Sequence, residues 1–340
     1  MAGNRSDQKV IRKSGKRNTH WYHRSLYRIR TERIFVKKQV QADVWVAFFI
    51  TITLWASAFV GIRAALTYYS PLHLAFLRML IGSVGLGIVA VIRKTRLPDP
   101  KDIPIFLLCG FFGFAVYHVG INVGEQTVSA GLSSLIVTLA PVFTAIWSVL
   151  FLKERMTATG LLGTVVSFLG VALISISIDG SFRFTAQTLY ILFAAFSESI
   201  YFVVQVPYLK KYDSIAFTTY TIWAAALFMA FTSRGVVREI ASAPVSASLI
   251  VLYLGIFPTI VAYSAMAYAI SRIGSSRGTS SIYLTPVLTF LIAWALLGEI
   301  PTWFSLLGGA VTITGVLLVN RGTSEKTQIQ QSEDVTPLPD

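Results

Sequence analysis

The sequence predicts an all-α membrane protein in which ten transmembrane helices form two inverted five-helix repeats. Three observations carry this prediction: an apolar composition, ten apolar stretches of roughly membrane-spanning length and a duplicated segment. Of the 340 residues, 54% are hydrophobic and only 13% are charged, whereas soluble domains contain about 25% charged residues. The composition therefore argues against a water-soluble protein.

The apolar stretches approach the length of about 20 residues that a helix needs to cross a bilayer. They lie near 43–64, 71–92, 103–123, 129–152, 158–178, 185–208, 214–232, 246–270, 278–298 and 302–320. We therefore divide the chain into a basic arm (1–42), a first five-helix repeat (43–178), a second five-helix repeat (185–320) and a polar tail (321–340).

A duplicated segment relates the two halves. Residues 139–173 align without a gap to residues 284–318, and 14 of the 35 positions are identical. Shared apolar composition does not explain why a proline and a glutamate recur at one spacing, as Pro141 and Glu154 and then as Pro286 and Glu299. Because five is an odd number of crossings, the second repeat enters the membrane from the opposite side, and the repeats are inverted.

The distribution of Lys and Arg predicts the orientation. With the amino terminus in the cytoplasm, the cytoplasmic segments hold 24 of these residues and the external segments hold four. Without the basic arm the counts are still 12 and 4. Because cytoplasmic loops carry an excess of basic residues, we expect both termini in the cytoplasm, in a bacterial inner (plasma) membrane.

The basic arm carries 12 basic and two acidic residues. We expect it to bind anionic lipid next to the first helix, because basic segments beside a membrane are attracted to its negative surface. The adjoining membrane explains this charge, so we expect no nucleic-acid partner.

Several motifs resemble the EamA family of the drug/metabolite transporter superfamily. They are Trp55-Ala-Ser57-Ala-Phe59, Ser70-Pro71 leading to Arg78, the duplicated Pro141…Glu154 and Pro286…Glu299 segments, and Tyr253-Leu-Gly255 leading to Tyr263. The resemblance covers residues 43–320. It implies a central cavity between the halves and transport of small metabolites, often the export of amino acids, without ATP hydrolysis.

Glu198 is the leading candidate for a functional side chain because it lies in the middle of an apolar span. A charge at the bilayer centre costs about 2.5–3.5 kcal/mol on insertion scales, so it faces protein or water. We expect Glu198 to titrate in the cavity and to contact substrate or a proton; a static polar contact is the alternative. Arg78, inside the second span, could pair with Glu198, and His118 is a third buried titratable candidate.

Aromatic and polar residues within the spans complete the candidate site, since aromatic walls with few polar groups suit an amphipathic solute. The candidates for substrate binding, in addition to Glu198, are Trp55, Ser57, Asn122, Tyr201, Tyr263 and Tyr283. Pro141 and Pro286 are candidate hinges because proline removes a backbone hydrogen bond from a helix; a packing kink is the alternative.

We therefore expect a secondary transporter of small organic metabolites, an exporter of amino acids or related compounds that alternates access around a midplane cavity. A nucleotide-sugar or drug transporter of the same superfamily and a non-transporting receptor or scaffold remain alternatives. We expect no enzyme, because the spans hold no convergent catalytic set. We also expect no cofactor and no metal site, because the only cysteine is Cys109 and the four histidines are scattered.

Overall fold

The computed structural model of the chain describes residues 42–152, 157–179 and 185–333. The basic arm up to residue 41, Glu154 with Arg155, and the end of the polar tail from residue 334 lie outside these ranges. Within them, every regular element is a helix and no strand occurs, which confirms the all-α prediction for this part of the chain.

The first half contains five helices. They are α1 (Ala42–Ala65), α2 (Pro71–Ile92), α3 (Pro100–Gly124), α4 (Ala130–Leu152) and α5 (Ala158–Asp179). The second half has more elements, because one helix is short and another is broken. Its helices are α6 (Ala186–Tyr208), α7 (Ser214–Ser233), α8 (Val236–Ser242), α9 (Val245–Ile273), α10 (Ser275–Thr279), α11 (Thr285–Leu297) and α12 (Trp303–Glu333).

Seven of these helices are long and apolar enough to cross a membrane, judged by length and composition: α1, α2, α3, α4, α6, α7 and α9. Three shorter apolar helices, Ala158–Leu173, Ile282–Leu297 and Trp303–Val319, occupy the positions where the sequence predicts the fifth, ninth and tenth spans. The apolar stretches are thus mostly helical within the described residues.

Polar side chains fix several helix starts. Asp213 accepts hydrogen bonds from the backbone N–H groups of Ile215 and Ala216, each at 3.0 Å, at the start of α7. Thr185 caps α6, and Ser129 caps α4 in the same way. Each cap satisfies an N–H group that the first turn of a helix leaves without a partner.

Two helices change pitch at matching places in the two halves. A π-helical segment covers Phe111–Val116 in α3, and another covers Phe257–Ala262 in α9. In α9 the segment contains Pro258, which has no N–H to donate, and the hydroxyl of Thr259 donates to the carbonyl of Leu254 at 2.8 Å. Such segments frequently occur at functional sites.

The helices that carry the duplicated prolines are interrupted just before them. Helix α4 consists of Ala130–Val137 and Ala140–Leu152, and the 3-10 turn Ser280–Leu284 precedes α11. Pro141 and Pro286 therefore lie in the first turn of a restarted helix, where a missing N–H group removes no internal hydrogen bond. Sequence reasoning placed each proline inside a continuous helix; the structure places each at a helix boundary.

Glycines bring α5 and α12 into backbone contact. A Cβ atom added to Gly163 would lie 2.5 Å from the carbonyl oxygen of Gly315, and one added to Gly315 would lie 2.4 Å from the amide nitrogen of Ser167. Both glycines belong to the duplicated segment. Small residues permit this close approach of helices in membranes.

Replacing Gly315 with Ala should destabilise the protein by about 1–3 kcal/mol, because the new methyl group forces α5 and α12 apart. Gly87→Ala is the matched control, since a Cβ atom there would meet its nearest neighbour at an ordinary 3.8 Å. Thermal unfolding of both variants in detergent measures the difference. Equal melting temperatures for Gly315→Ala and the parent protein would contradict the close contact.

Candidate functional site

A narrow cavity lies between helices of both halves. Its volume is about 20 Å³, room for roughly one water molecule and far below the roughly 300–1,000 Å³ of ligand pockets. It is lined by Trp55, Ala58, Phe59 and Ile62 of α1, Arg78 of α2, Tyr117 and Ile121 of α3, and Tyr263 of α9. The walls are thus mostly apolar and aromatic, with one guanidinium group.

One face of α1 forms a large part of this wall. Its lining residues follow Trp55 at three, four and seven positions, which is the spacing of one helix face. Tyr117 and Ile121 repeat the four-residue spacing on α3. The apolar members of the wall were not among the predicted site residues, although their spacing from Trp55 is a signal that the sequence contains.

Arg78 of α2 is a buried cation in the cavity wall. Its side chain is 3% exposed, it forms no hydrogen bond with the described residues, and its Nε atom is completely buried. A buried charge is expensive unless it is paired. Because Arg78 lines the cavity, an anionic group entering the cavity could pair with it through charge-assisted hydrogen bonds.

Glu198 of α6 lies behind the cavity wall and is 1% exposed. The hydroxyl group of Tyr263 donates a hydrogen bond to its carboxylate at 2.9 Å. Glu198 is not a lining residue, so it reaches the cavity only through Tyr263. No ion pair joins Glu198 to Arg78, both of which the structure describes.

The aromatic rings behind the wall form a continuous cluster. The ring of Tyr263 contacts Trp55 edge-on at a centroid distance of 5.0 Å and lies 4.5 Å from Phe114. His118 stacks on Phe114 and its Nδ1 atom lies 2.8 Å from the Phe114 carbonyl oxygen. Tyr201 packs on the same ring. His118 and Tyr201 thus support the wall without lining it.

The remaining predicted residues do not line the cavity. Ser57 is within 2.6 Å of the Tyr253 hydroxyl, and Asn122 donates to the carbonyl oxygen of Pro71 at 2.9 Å. Tyr283 is buried between α10 and α11. The structure therefore brings Trp55, Arg78 and Tyr263 to the cavity and Glu198 to its edge.

Two polar clusters lie at opposite ends of α3, and each joins the first half to the second. In the Lys211 cluster, Lys211 contacts Asp99 and lies 2.7 Å from Asp102, and Tyr212 donates to Asp102. Hydrogen bonds from its ammonium group to Asp102 and Asp99 raise the pKa of Lys211.

In the Arg63 cluster, Arg63 of α1 forms an ion pair of 3.5 Å with Glu299, which follows α11. Its guanidinium also donates to the backbone carbonyl oxygens of Glu125 and, at 2.8 Å, of Gln126. Glu299 accepts a hydrogen bond of 3.0 Å from the amide of Ala130, the first residue of α4. Sequence reasoning counted Arg63 only as an external charge and did not identify this cluster, whose members are far apart in the chain.

The described residues contain no group of three or more His, Cys, Asp or Glu side chains that could hold a metal ion. The residues that line the cavity offer the guanidinium group of Arg78 and the aromatic rings of Trp55, Phe59, Tyr117 and Tyr263.

Comparison with known proteins places the chain among transporters. The sequence model of the EamA-like transporter family matches it twice, at residues 43–176 and 186–321. The "Uncharacterized transporter YdfC" of Bacillus subtilis (strain 168) is 50% identical over 281 residues, which cover 82% of this chain and 91% of that protein.

Two further relatives extend the comparison. The "Probable terminal-alkyne amino-acid exporter" of Streptantibioticus cattleyicolor is 36% identical over 280 residues, which cover 82% of this chain and 94% of that protein. A solved crystal structure matches with a TM-score of 0.60 at 20% identity, covering 84% of this chain and 99% of its own. At that identity it shows a shared fold alone.

Replacing Tyr263 with Phe should destabilise the protein by about 1–3 kcal/mol, because the buried Glu198 carboxyl group loses the donor that satisfies it. Tyr253→Phe is the control: its partner Ser57 keeps a second hydrogen bond, to the carbonyl oxygen of Leu54 at 2.9 Å. Thermal unfolding in detergent compares the two variants. A Tyr263→Phe protein as stable as Tyr253→Phe would show that this hydrogen bond matters little.

Proposed function

Because this chain belongs to the EamA-like transporter family, we propose that it is a secondary exporter of amino acids or related small metabolites. The chain is an integral membrane protein of a transporter family, not of an enzyme family. The observation that carries the proposal is the unpaired guanidinium of Arg78 in a small aromatic cavity.

In this proposal Arg78 binds the carboxylate of the substrate. A hydrogen bond to a charged group is worth about 1.5–3 kcal/mol, and burial of Arg78 keeps water from competing for its donors. Trp55, Tyr117 and Tyr263 would pack against the rest of a small solute. The naming of a 36% identical relative as an amino-acid exporter supports this substrate class.

Tyr263 and Glu198 provide the second polar element of the proposed site. Tyr263 lines the cavity, and its hydroxyl group donates a hydrogen bond to Glu198. This pair would bind the ammonium group of an amino acid or exchange a proton during the cycle. The carboxylate group of an amino acid would thus contact Arg78 on α2, and its ammonium group would contact Tyr263 on α9 and Glu198 on α6.

We also propose that the helices form two inverted five-helix repeats, ten spans in all. The Arg63 cluster lies at the carboxyl end of α1, whereas the Lys211 cluster lies at the carboxyl end of α6. Because α3 runs from Asp102 in one cluster to Glu125 in the other, α1 and α6 point in opposite directions. The double match to the family model supports the same arrangement.

The excess of basic residues predicted for the cytoplasmic loops assigns the Lys211 cluster to the cytoplasmic side and the Arg63 cluster to the outside. Both termini would then lie in the cytoplasm of a bacterial inner membrane, with the basic arm on anionic lipid and no nucleic-acid partner. Alternating access would follow from rocking of the two repeats, with the helix breaks before Pro141 and Pro286 as hinges.

A nucleotide-sugar substrate is less well supported. Its phosphate groups would call for several cations, and Arg78 is the single Lys or Arg among the described residues that line the cavity. The same cavity argues against a scaffold without transport activity, since a scaffold has no need of a buried cation without a partner.

Replacing Arg78 with Gln should lower transport of the best amino-acid substrate by at least about tenfold, because the loss of one charge-assisted hydrogen bond is worth roughly 1.5–3 kcal/mol. Liposomes loaded with a panel of radiolabelled amino acids measure efflux by the purified protein. Ser83→Ala on the same helix is the control, since Ser83 bonds to the carbonyl oxygen of Ile222 and not to the cavity. Unchanged efflux in Arg78→Gln would remove Arg78 from substrate binding.

Cysteine labelling tests the inverted repeats. In a Cys109→Ala background, Tyr68→Cys after α1 should react with a membrane-impermeant maleimide from outside intact cells. Lys210→Cys after α6 should react only after the membrane is permeabilised, because the two helices cross in opposite directions. Labelling of both positions from the same side would contradict the proposed topology.

A further inference from the structure

The Arg63 cluster lies at the carboxyl end of α1, the helix whose residues from Trp55 to Ile62 line the cavity. Arg63 directly follows the lining residue Ile62, and its guanidinium connects α1 to the turn between α3 and α4 and to Glu299 of the second half. Next to the cluster lies an open depression of about 560 Å³, whose lining includes Arg63, Gln126 and Glu299. The pair of Arg63 and Glu299 thus lies in the wall of this depression, which opens to the outside in the proposed topology.

Glu125 occupies an unusual position within this cluster. Its side chain is fully buried, and neither of its carboxyl oxygens has a hydrogen-bond partner among the described residues. The charges that act on it come from three elements: Arg63 on α1, Arg78 on α2 and Glu299 after α11. Glu125 is thus influenced by the charge of Arg78, which lines the cavity, and by the charge of Arg63.

The environment of Glu125 favours its neutral form. A buried ionised carboxylate without donors is costly, and burial raises the pKa of the Glu125 carboxyl group well above its ordinary value, while Arg63 opposes the shift. If the ion pair between Arg63 and Glu299 broke and this end of the protein opened, water would reach the Glu125 carboxyl group. Its pKa would then fall towards the ordinary value.

The difference in the pKa of Glu125 between the closed and open arrangements determines which arrangement a proton favours. The closed arrangement binds the proton more tightly than the open one, so protonation stabilises the closed arrangement and loss of the proton favours the open one. Each unit of pKa difference between the two arrangements changes their population ratio by up to about tenfold across the titration.

We propose that Glu125 is a proton-binding site built into an outer gate, which Arg63 and Glu299 form, and that a proton from the outside closes this gate. The role in transport rests on the proposed exporter function. After substrate leaves, a proton binds the Glu125 carboxylate to give the neutral acid, and the gate closes. Release of the same proton on the cytoplasmic side would drive exchange of one proton for substrate.

The gate can be tested without any substrate. Spin labels at Tyr68→Cys and Ile300→Cys, in a Cys109→Ala background, report the distance across the outer end by pulsed electron spin resonance. Both positions are exposed, at 50% and 77%. Measurements of the full chain in lipid nanodiscs at about pH 5 and about pH 9 would compare the protonated and ionised carboxyl group.

At the acidic pH we expect most molecules to show a short distance between the two spin labels. At the alkaline pH the fraction of molecules with a longer distance should be several-fold larger. Glu125→Gln, which resembles the protonated acid, should keep the short distance at both pH values. Glu299→Gln should increase the long-distance population at the acidic pH, because it breaks the ion pair with Arg63.

Glu239→Gln is the matched control. Glu239 lies on the same side in the proposed topology, but it accepts a hydrogen bond from the backbone of Ser70 and pairs with His73. The Glu239→Gln variant should therefore respond to pH as the parent protein does.

Three results would overturn the proposal. The first is a spin-label distance in the parent protein that does not change with pH, and the second is a pH response that persists in Glu125→Gln. The third result is a pH response that Glu125→Gln keeps but that is lost when Glu239 or Glu198 is replaced with Gln. If Glu125→Gln does not fold, Glu125→Leu gives a second neutral variant and the parent response remains decisive. Since no substrate is present, failure of the gate and failure of the exporter function are separate outcomes.

Discussion

The structure depends on the cost of placing charge and polar backbone in an apolar surrounding. In a bilayer no water can satisfy exposed N–H and C=O groups, so each crossing must be a helix or must be buried in protein. The described residues follow this constraint at the interruption before Pro141, where Thr138 and Leu139 are fully buried. The same cost leaves Arg78 and Glu198 only two options, a partner or the cavity.

The buried polar groups are not equivalent under this constraint. Glu198 has a donor in Tyr263, whereas Arg78 and Glu125 have no hydrogen-bonded side-chain partner in the described part of the chain. An unsatisfied group in a native structure calls for an explanation. In the proposed function a substrate carboxylate would pair with Arg78, and in the proposed gate a proton would neutralise Glu125.

The duplication supplies the framework that holds these groups. Gly163 and Gly315 come from equivalent segments and let α5 and α12 touch through their backbones, which ties the last helices of the two halves together at one side. At the ends of α3 the halves are joined by ion pairs instead. These pairs are partly exposed, and exposed ion pairs contribute little to stability. Contacts of this kind can break and form at small cost, which suits gates more than permanent joints.

The sequence alone determined the membrane character, the helical class and the family resemblance, because composition, span length and a gapless repeat are properties of the chain order. It also singled out Trp55, Arg78, Tyr263 and Glu198, since charged and aromatic residues inside apolar spans are conspicuous. Only the tertiary structure decided which of them share a cavity and that Glu198 pairs with Tyr263. It also revealed the cluster of Arg63, Glu125 and Glu299. Those contacts join residues more than sixty positions apart, and no local pattern encodes such distances.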